Sequence, residues 1–80
     1  MKGDLDGAIE DYTKAIEIDP KNETYYHSRG VSRYLKKDLK GAIEDMRKTL
    51  RVAAPNWKNR KAVEGSLKKM QEALQKKKEE

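Results

Sequence analysis

Few side chains in this sequence could carry chemistry. His27 is the only histidine, and no cysteine is present, so a disulfide framework and a cysteine-based metal or redox site are both excluded. A lone histidine without suitably spaced partners builds neither a tetrahedral metal site nor a catalytic triad. The sequence therefore predicts no metal, no cofactor and no enzymatic activity, and it predicts that His27 lies on a surface or in a groove.

Two pairs of adjacent carboxylates, Glu10-Asp11 and Glu44-Asp45, have the composition that general acid and base chemistry uses. Both pairs fall at the same place in a repeated segment, where they would lie on the outer face of a helix. No nucleophile, base and orienting group converge with either pair. We therefore interpret all four side chains as solvated charges.

The charge of the chain is basic and uneven. Lysine and arginine number 19 against 14 aspartates and glutamates, a formal net charge of +5, and the first 22 residues are net acidic while the rest are net basic. A surface of this sign attracts acidic peptides or nucleic acid, although lysine-rich helix faces are more often solubilising surface. A basic helical module that binds nucleic acid is thus the less favoured alternative. Its contacts would be Arg33, Lys36, Lys37, Lys40, Arg47, Lys48 and Arg51.

The elements that position these side chains are predicted to be four helices joined by short connections. Apolar residues recur at helical spacing, Asp4 and Asn22 can cap helices, and Pro20 ends the first helix. Short connections require antiparallel neighbours, so the fold class is all-α. The helices are predicted over residues 5–18, 23–36, 39–53 and 56–76.

A repeat of 34 residues organises the chain. The segment from Gly3 to Ile16 returns, edited, from Lys37 to Leu50, with eight residues unchanged. A fixed period of this length indicates stacked helical hairpins. Gly30 lies inside the second helix, where glycine costs about 1 kcal/mol relative to alanine, so a close approach of the neighbouring helix is expected there.

The repeat resembles the tetratricopeptide repeat (TPR) family. The resemblance rests on Gly-Asp-Leu-x2-Ala-Ile-x2-Tyr-x2-Ala-Ile-x3-Pro from Gly3 to Pro20, followed by Tyr26 and Gly30. It implies antiparallel hairpins of an α-solenoid and a non-enzymatic scaffold for protein interaction. Lys37 stands where the family usually has the glycine that Gly3 supplies, so the bend at Lys37 is expected to differ.

The same resemblance divides the chain into two parts. Residues 1–55 would form one full repeat flanked by half repeats, and residues 56–80 would form a capping helix whose basic tail frays. The chain is expected either to belong to a longer repeat array or to self-associate. No apolar run is long enough to span a bilayer, so a cytoplasmic protein without membrane contact is expected.

In this family a concave groove is lined by the first helix of each pair, which here would be the second helix. That helix carries arginine and lysine and has no acidic residue after Glu23, so the expected ligand is an acidic peptide, a C-terminal carboxylate or a partner helix. The groove would be lined by Thr24, His27, Val31, Tyr34 and Leu35.

Self-association is expected from apolar surface on the first and last helices. The first helix has an apolar stripe that, in this family, normally packs on two neighbouring helices. One of these helices is absent from this sequence, and a homodimer would cover the stripe instead. The last helix has a narrow seam with a heptad-like spacing. The stripe consists of Leu5, Ile9, Tyr12 and Ile16, and the seam of Val63, Leu67, Met70 and Leu74.

Overall fold

The computed structural model describes residues 4–79, which form four helices and no strand. The expected all-α class with about four helices is confirmed. Gly3, which begins the repeat motif, and Glu80, which ends the predicted tail, lie outside the described residues. The helices are α1 (Leu5–Ile18), α2 (Glu23–Leu35), α3 (Leu39–Val52) and α4 (Arg60–Glu79).

The first three helices begin where the sequence predicts, and the side chain before each of them caps it with a hydrogen bond. Asp4 and Asp38, one repeat apart, each accept a hydrogen bond from the backbone N–H three residues on, at 2.9 and 3.0 Å. Asn22 accepts one from the N–H two residues on at 2.9 Å. The Tyr26 hydroxyl then donates to the carbonyl of Pro20 at 2.8 Å and ties the turn to α2. Each bond satisfies a group at a helix end or turn that would otherwise lack a partner.

The bend between α2 and α3 has a glycine-like backbone although its central residue is lysine. Lys37 has a φ of 71°, in the left-handed region. Its N–H donates to the carbonyl of Tyr34 at 2.9 Å, and the N–H of Asp38 donates to that of Arg33 at 2.8 Å. These two bonds form the Schellman motif that ends many helices. Lys37 therefore adopts the conformation that the family's glycine would favour, at a cost of roughly 1 kcal/mol.

The predicted start of the fourth helix was wrong. It was expected at residue 56, whereas the chain turns after α3 and the helix begins at Arg60. The Arg60 guanidinium donates from Nη2 to the carbonyls of Leu50 and Ala53, both at 2.8 Å, and so satisfies the free carbonyl groups at the end of α3. Residues 56–59 have to turn for Arg60 to reach that helix end.

The fourth helix also continues further than predicted, to Glu79 instead of residue 76. Its lysines at 76–78 are exposed. Whether this end frays in solution stays a prediction.

The helices pack in chain order, each on the next, and the core lies between α3 and α4. Short connections make consecutive helices antiparallel, as expected for stacked hairpins. Partly buried side chains from the turn and from both helices surround this core. The buried cluster consists of Ala42, Ile43, Met46, Val63 and Met70.

Gly30 lies at a close approach between α2 and α3, as predicted. A Cβ atom at this position would lie 3.1 Å from the Cβ of Asp45 and 3.1 Å from the Cε of Met46. Contacts this short require a neighbour to move, and the Asp45 Cβ is fixed to a packed helix. The cost of glycine inside α2 is therefore offset by tighter packing of the two helices.

Gly65, inside α4, has no such neighbour, and we expect Gly65→Ala to stabilise the fold. A Cβ atom there would meet nothing within 4 Å. Alanine should raise the free energy of unfolding by about 0.5 to 1 kcal/mol, since it restricts the unfolded chain and favours the helix. Urea denaturation measures this. Gly30→Ala is the matched control and should gain less or lose stability; an equal gain at both sites would contradict the packing of α2 on α3.

Candidate functional site

A cleft opens between α2 and α4, which both pack on α3. It has a volume of about 240 Å³, and Met46 of α3 contributes to its wall. A wider cleft of about 420 Å³ adjoins it and shares Tyr34 and Ala73. The first is lined by His27, Val31, Tyr34, Met46, Ser66, Lys69, Met70 and Ala73, and the second by Tyr34, Leu35, Lys37, Leu39, Ala73 and Lys77. We refer to the two together as the α2–α4 cleft.

Four of the five predicted groove residues line the α2–α4 cleft: His27, Val31, Tyr34 and Leu35. Thr24 is exposed near the start of α2 and lines neither part. The sequence did not predict the other wall, which α4 provides. The spacing of Lys69, Ala73 and Lys77, four residues apart on one helical face, was the available signal.

The α2 wall of the cleft is apolar and exposed. Val31 is 39% exposed, Tyr34 50% and Leu35 59%, and the three lie within five residues of one another on one helix. Clustered apolar surface of this kind is typical of a binding surface. The tyrosine adds a hydroxyl that can form a hydrogen bond with a ligand.

The charged side chains that line the cleft are all positive. Lys37, Lys69 and Lys77 line it and no acidic side chain does. His27 packs edge-on against Trp57, with ring centroids 6.1 Å apart and an interplanar angle of 84°. Burial lowers the pKa of His27, so its imidazole is neutral at pH 7. The positive charge of the cleft therefore comes from its lysines.

The lowered pKa of His27 predicts how stability depends on pH. Below the unfolded-state value of 6.5 the unfolded chain takes up a proton that the folded chain resists, so folding stability is present above pH 6.5 and is lost as the pH falls through the folded pKa. Urea denaturation from pH 7.5 down to about pH 5 should show this loss. His27→Gln should reduce the change of unfolding free energy with pH. If that change were the same in the variant, it would have to come from other titratable groups.

The interpretation of Asp45 as a solvated charge was wrong. Its side chain is 1% exposed, and both of its oxygens face the Arg29 guanidinium. Arg29 donates from Nε to Oδ2 and from Nη2 to Oδ1, each at 2.9 Å, and Arg33 donates to Oδ2 at 3.2 Å. The other three carboxylates, Glu10, Asp11 and Glu44, are exposed as predicted. We call Arg29, Arg33 and Asp45 the buried ion-pair cluster.

The cluster connects three helices. Arg29 of α2 also donates to the hydroxyl of Thr13 on α1 at 3.0 Å, and that hydroxyl donates to the carbonyl of Ile9 at 2.8 Å. The hydrogen bond to Asp45 raises the pKa of Arg29, so the guanidinium stays charged. The sequence signalled only the α2 half of the cluster, because Arg29 and Arg33 are four residues apart on one helical face.

The structure changes the set of basic side chains available to nucleic acid. Arg33 is bound to Asp45, and Lys36 pairs with Asp6 of α1. The remaining residues of the predicted set, Lys37, Lys40, Arg47, Lys48 and Arg51, are exposed.

The apolar seam of α4 packs inside its own chain. Val63 is 0% and Met70 6% exposed, and Leu67 and Leu74 pack against the same core. Self-association through this seam stays a prediction, and it would require α4 to leave α3. The α1 stripe differs, since Leu5, Ile9, Tyr12 and Ile16 are each partly buried and no residue of α1 is fully buried.

Within residues 4–79 no three histidine, aspartate or glutamate side chains come together in a group that could hold a metal ion. In the same part of the chain no helix combines the length and the apolar character needed to cross a membrane.

Comparison with known families agrees with the helical hairpins. A family model described as a TPR repeat matches residues 1–37, which include α1 and α2. This part of the chain is a TPR-family repeat. TPR repeats generally mediate protein–protein interaction, and the family generally consists of non-enzymatic scaffolds. Comparison with curated proteins and with solved structures gave no significant match.

Proposed function

We propose that this chain binds an acidic peptide or partner helix in the α2–α4 cleft and acts as a non-enzymatic interaction scaffold. The observation that carries the proposal is the combination of an exposed apolar wall with charged side chains that are all lysines. Val31, Tyr34 and Leu35 stay accessible on α2, and Lys69 and Lys77 lie on the opposite wall. A ligand with apolar side chains flanked by carboxylates would match both features.

Apolar contact should supply most of the affinity. Tyrosine is the residue type at the cleft that most often dominates binding energy, because its ring buries a large area and loses little conformational entropy. The lysines are exposed, so they should act mainly on the association rate and on the sign of the preferred ligand. Binding is therefore expected to weaken, without disappearing, as salt rises.

The proposal is tested with a fluorescent peptide that alternates glutamate and leucine and with its counterpart in which lysine replaces glutamate. Fluorescence anisotropy should show a preference for the acidic peptide. Tyr34→Ala should weaken its binding by about tenfold, equivalent to about 1.4 kcal/mol. Tyr34 is half exposed, so this variant should fold normally.

Thr24→Ala is the matched control, since Thr24 is on the same helix but lines neither part of the cleft. It should leave binding unchanged. Equal affinity for the two peptides, or equal loss in the two variants, would contradict the proposal.

The nucleic-acid alternative has its own signature. Binding of an oligodeoxythymidine strand with a steep fall in affinity as salt rises would favour it, because that slope reports release of counterions from phosphates. Arg47→Gln should then weaken binding, and Tyr34→Ala should not.

Self-association and a cytoplasmic location are separate predictions from the sequence. Partial exposure of the α1 stripe supports the first. Sedimentation equilibrium over a range of concentrations tests it, and a persistent mass of 9.3 kDa would exclude the homodimer.

A further inference from the structure

His27 differs from the other side chains that line the α2–α4 cleft, because its charge can change near neutral pH. It is the only histidine of the chain, and it lines the part of the cleft that has a volume of about 240 Å³. Histidine is the side chain that ordinarily changes charge between pH 5 and 8, and none of the carboxylates within residues 4–79 lines the cleft. A change of pH in this range therefore alters the charge of the cleft through His27.

The packing around His27 holds its ring at the cleft. Trp57, from the turn after α3, lies edge-on to the imidazole with the ring centroids 6.1 Å apart. The histidine is partly buried, and this burial lowers the pKa of the imidazole. A charge that arrives beside the ring can restore the protonated form, because a nearby anion acts against the effect of burial.

The titratable groups around His27 come from α2, from α4 and from the turn before α4. Lys69 of α4 and Tyr34 of α2 line the same part of the cleft, and the side chain that α3 contributes there is an uncharged methionine. The turn that carries the tryptophan also has Lys58, which is exposed, and Glu23 lies one helical turn before the histidine on α2. Among the described residues, the charged side chain that shares this part of the cleft with His27 is therefore Lys69.

We propose that His27 makes binding in the α2–α4 cleft depend on pH, so that an acidic ligand binds more tightly as the pH falls from about 7.5 to about 5.5. This regulation rests on the proposed function, since it requires an acidic ligand in the cleft. In a space of about 240 Å³, a ligand carboxylate drawn to Lys69 also lies close to the His27 imidazole. A negative charge within about 4 to 6 Å of an imidazole favours its protonated form, so the bound ligand and the bound proton stabilise each other.

The direction of the effect follows from this reciprocity. The imidazole of the free chain is neutral at pH 7, and a bound carboxylate raises its pKa. Affinity for the acidic ligand therefore rises as the pH falls through the pKa of His27 in the complex. We expect a gain of about fivefold, which is the upper end of what a partly exposed charge pair contributes.

The test measures fluorescence anisotropy of the glutamate–leucine peptide with the intact chain at about pH 7.5 and about pH 5.5, where the peptide carboxylates stay ionised. Affinity should be about fivefold higher at the lower pH. A peptide with glutamine in place of glutamate should show no such gain, and neither should the acidic peptide with His27→Gln. Partial unfolding at the lower pH would only weaken binding, so it cannot produce the gain.

A second measurement follows His27 itself. Because the chain has one histidine, the ring protons give a single set of ¹H NMR signals, and their titration reports the pKa of His27 in the folded chain. A saturating concentration of the acidic peptide should raise that pKa. Thr24→Ala is the matched control, since Thr24 lines neither part of the cleft, and it should keep both the gain in affinity and the rise in pKa.

The outcomes separate this inference from the proposed function. If the acidic peptide bound at pH 7.5 without a gain at pH 5.5, or if the gain persisted in His27→Gln, the role of His27 would be overturned and peptide binding in the cleft would stand. An unchanged pKa of His27 in the saturated chain would overturn the same role. Absence of binding at both pH values would overturn both proposals.

Discussion

Asp45→Ala is expected to reduce the free energy of unfolding by about 3 to 5 kcal/mol, because it leaves the charge of Arg29 without its partner between α2 and α3. The Arg29 side chain is 10% exposed, so removal of the carboxylate leaves a largely buried positive charge. A domain of this size has a total stability of only about 4 to 12 kcal/mol. The variant should therefore be partly or wholly unfolded at room temperature.

Circular dichroism and urea denaturation of Asp45→Ala provide the measurement. Asp11→Ala is the control, since it changes the same residue type at the equivalent position of the repeat, where the side chain is exposed. It should alter stability by no more than about 0.5 kcal/mol. Similar losses in the two variants would contradict the assignment of Asp45 to a buried ion pair.

The second large effect is expected from Ala42→Leu. Ala42 is 0% exposed and lies where α3 approaches Gly30, so three additional carbon atoms have no space. Overpacking a helix contact of this kind costs about 1 to 3 kcal/mol. Thermal melting of the variant measures the loss.

Ala8→Leu distinguishes overpacking from a general effect of leucine. Ala8 is the repeat counterpart of Ala42 but is only partly buried, so leucine there should cost less than at Ala42. If both variants melted like the unmodified chain, the close contact between α2 and α3 would be wrong. If Ala8→Leu were the more damaging, Ala8 would lie in a tighter contact than Ala42.

Local signals in the sequence were sufficient for the first three helices. Asp4, Asn22 and Asp38 cap them, and each capping bond involves residues within three positions of one another. The start of α4 depends instead on Arg60 reaching the end of α3, across seven to ten residues. A contact of that range leaves no periodic pattern, so the predicted start was early.

The buried ion-pair cluster was missed for a related reason. Asp45 and Asp11 are identical in type and position within the repeat, and what separates them is the presence of α2 against one and not the other. Whether a charged side chain is buried depends on the helix that packs against it. The sequence of one helix alone does not show which helix that is. Four groove residues on α2 could be predicted from the family resemblance, whereas Lys69 and Ala73 depended on how α4 packs.

The most direct test of the α2–α4 cleft as the binding site is a titration of the ¹⁵N-labelled chain with the glutamate–leucine peptide, followed by two-dimensional ¹H–¹⁵N NMR. We expect saturable shifts of the backbone amides of Val31, Tyr34, Lys69 and Ala73, on the two walls of the cleft. Amides of residues that line neither part of the cleft, such as those of Glu10 and Asp11, should not move. Shifts confined to α1, or the absence of saturable shifts anywhere, would contradict peptide binding in the cleft.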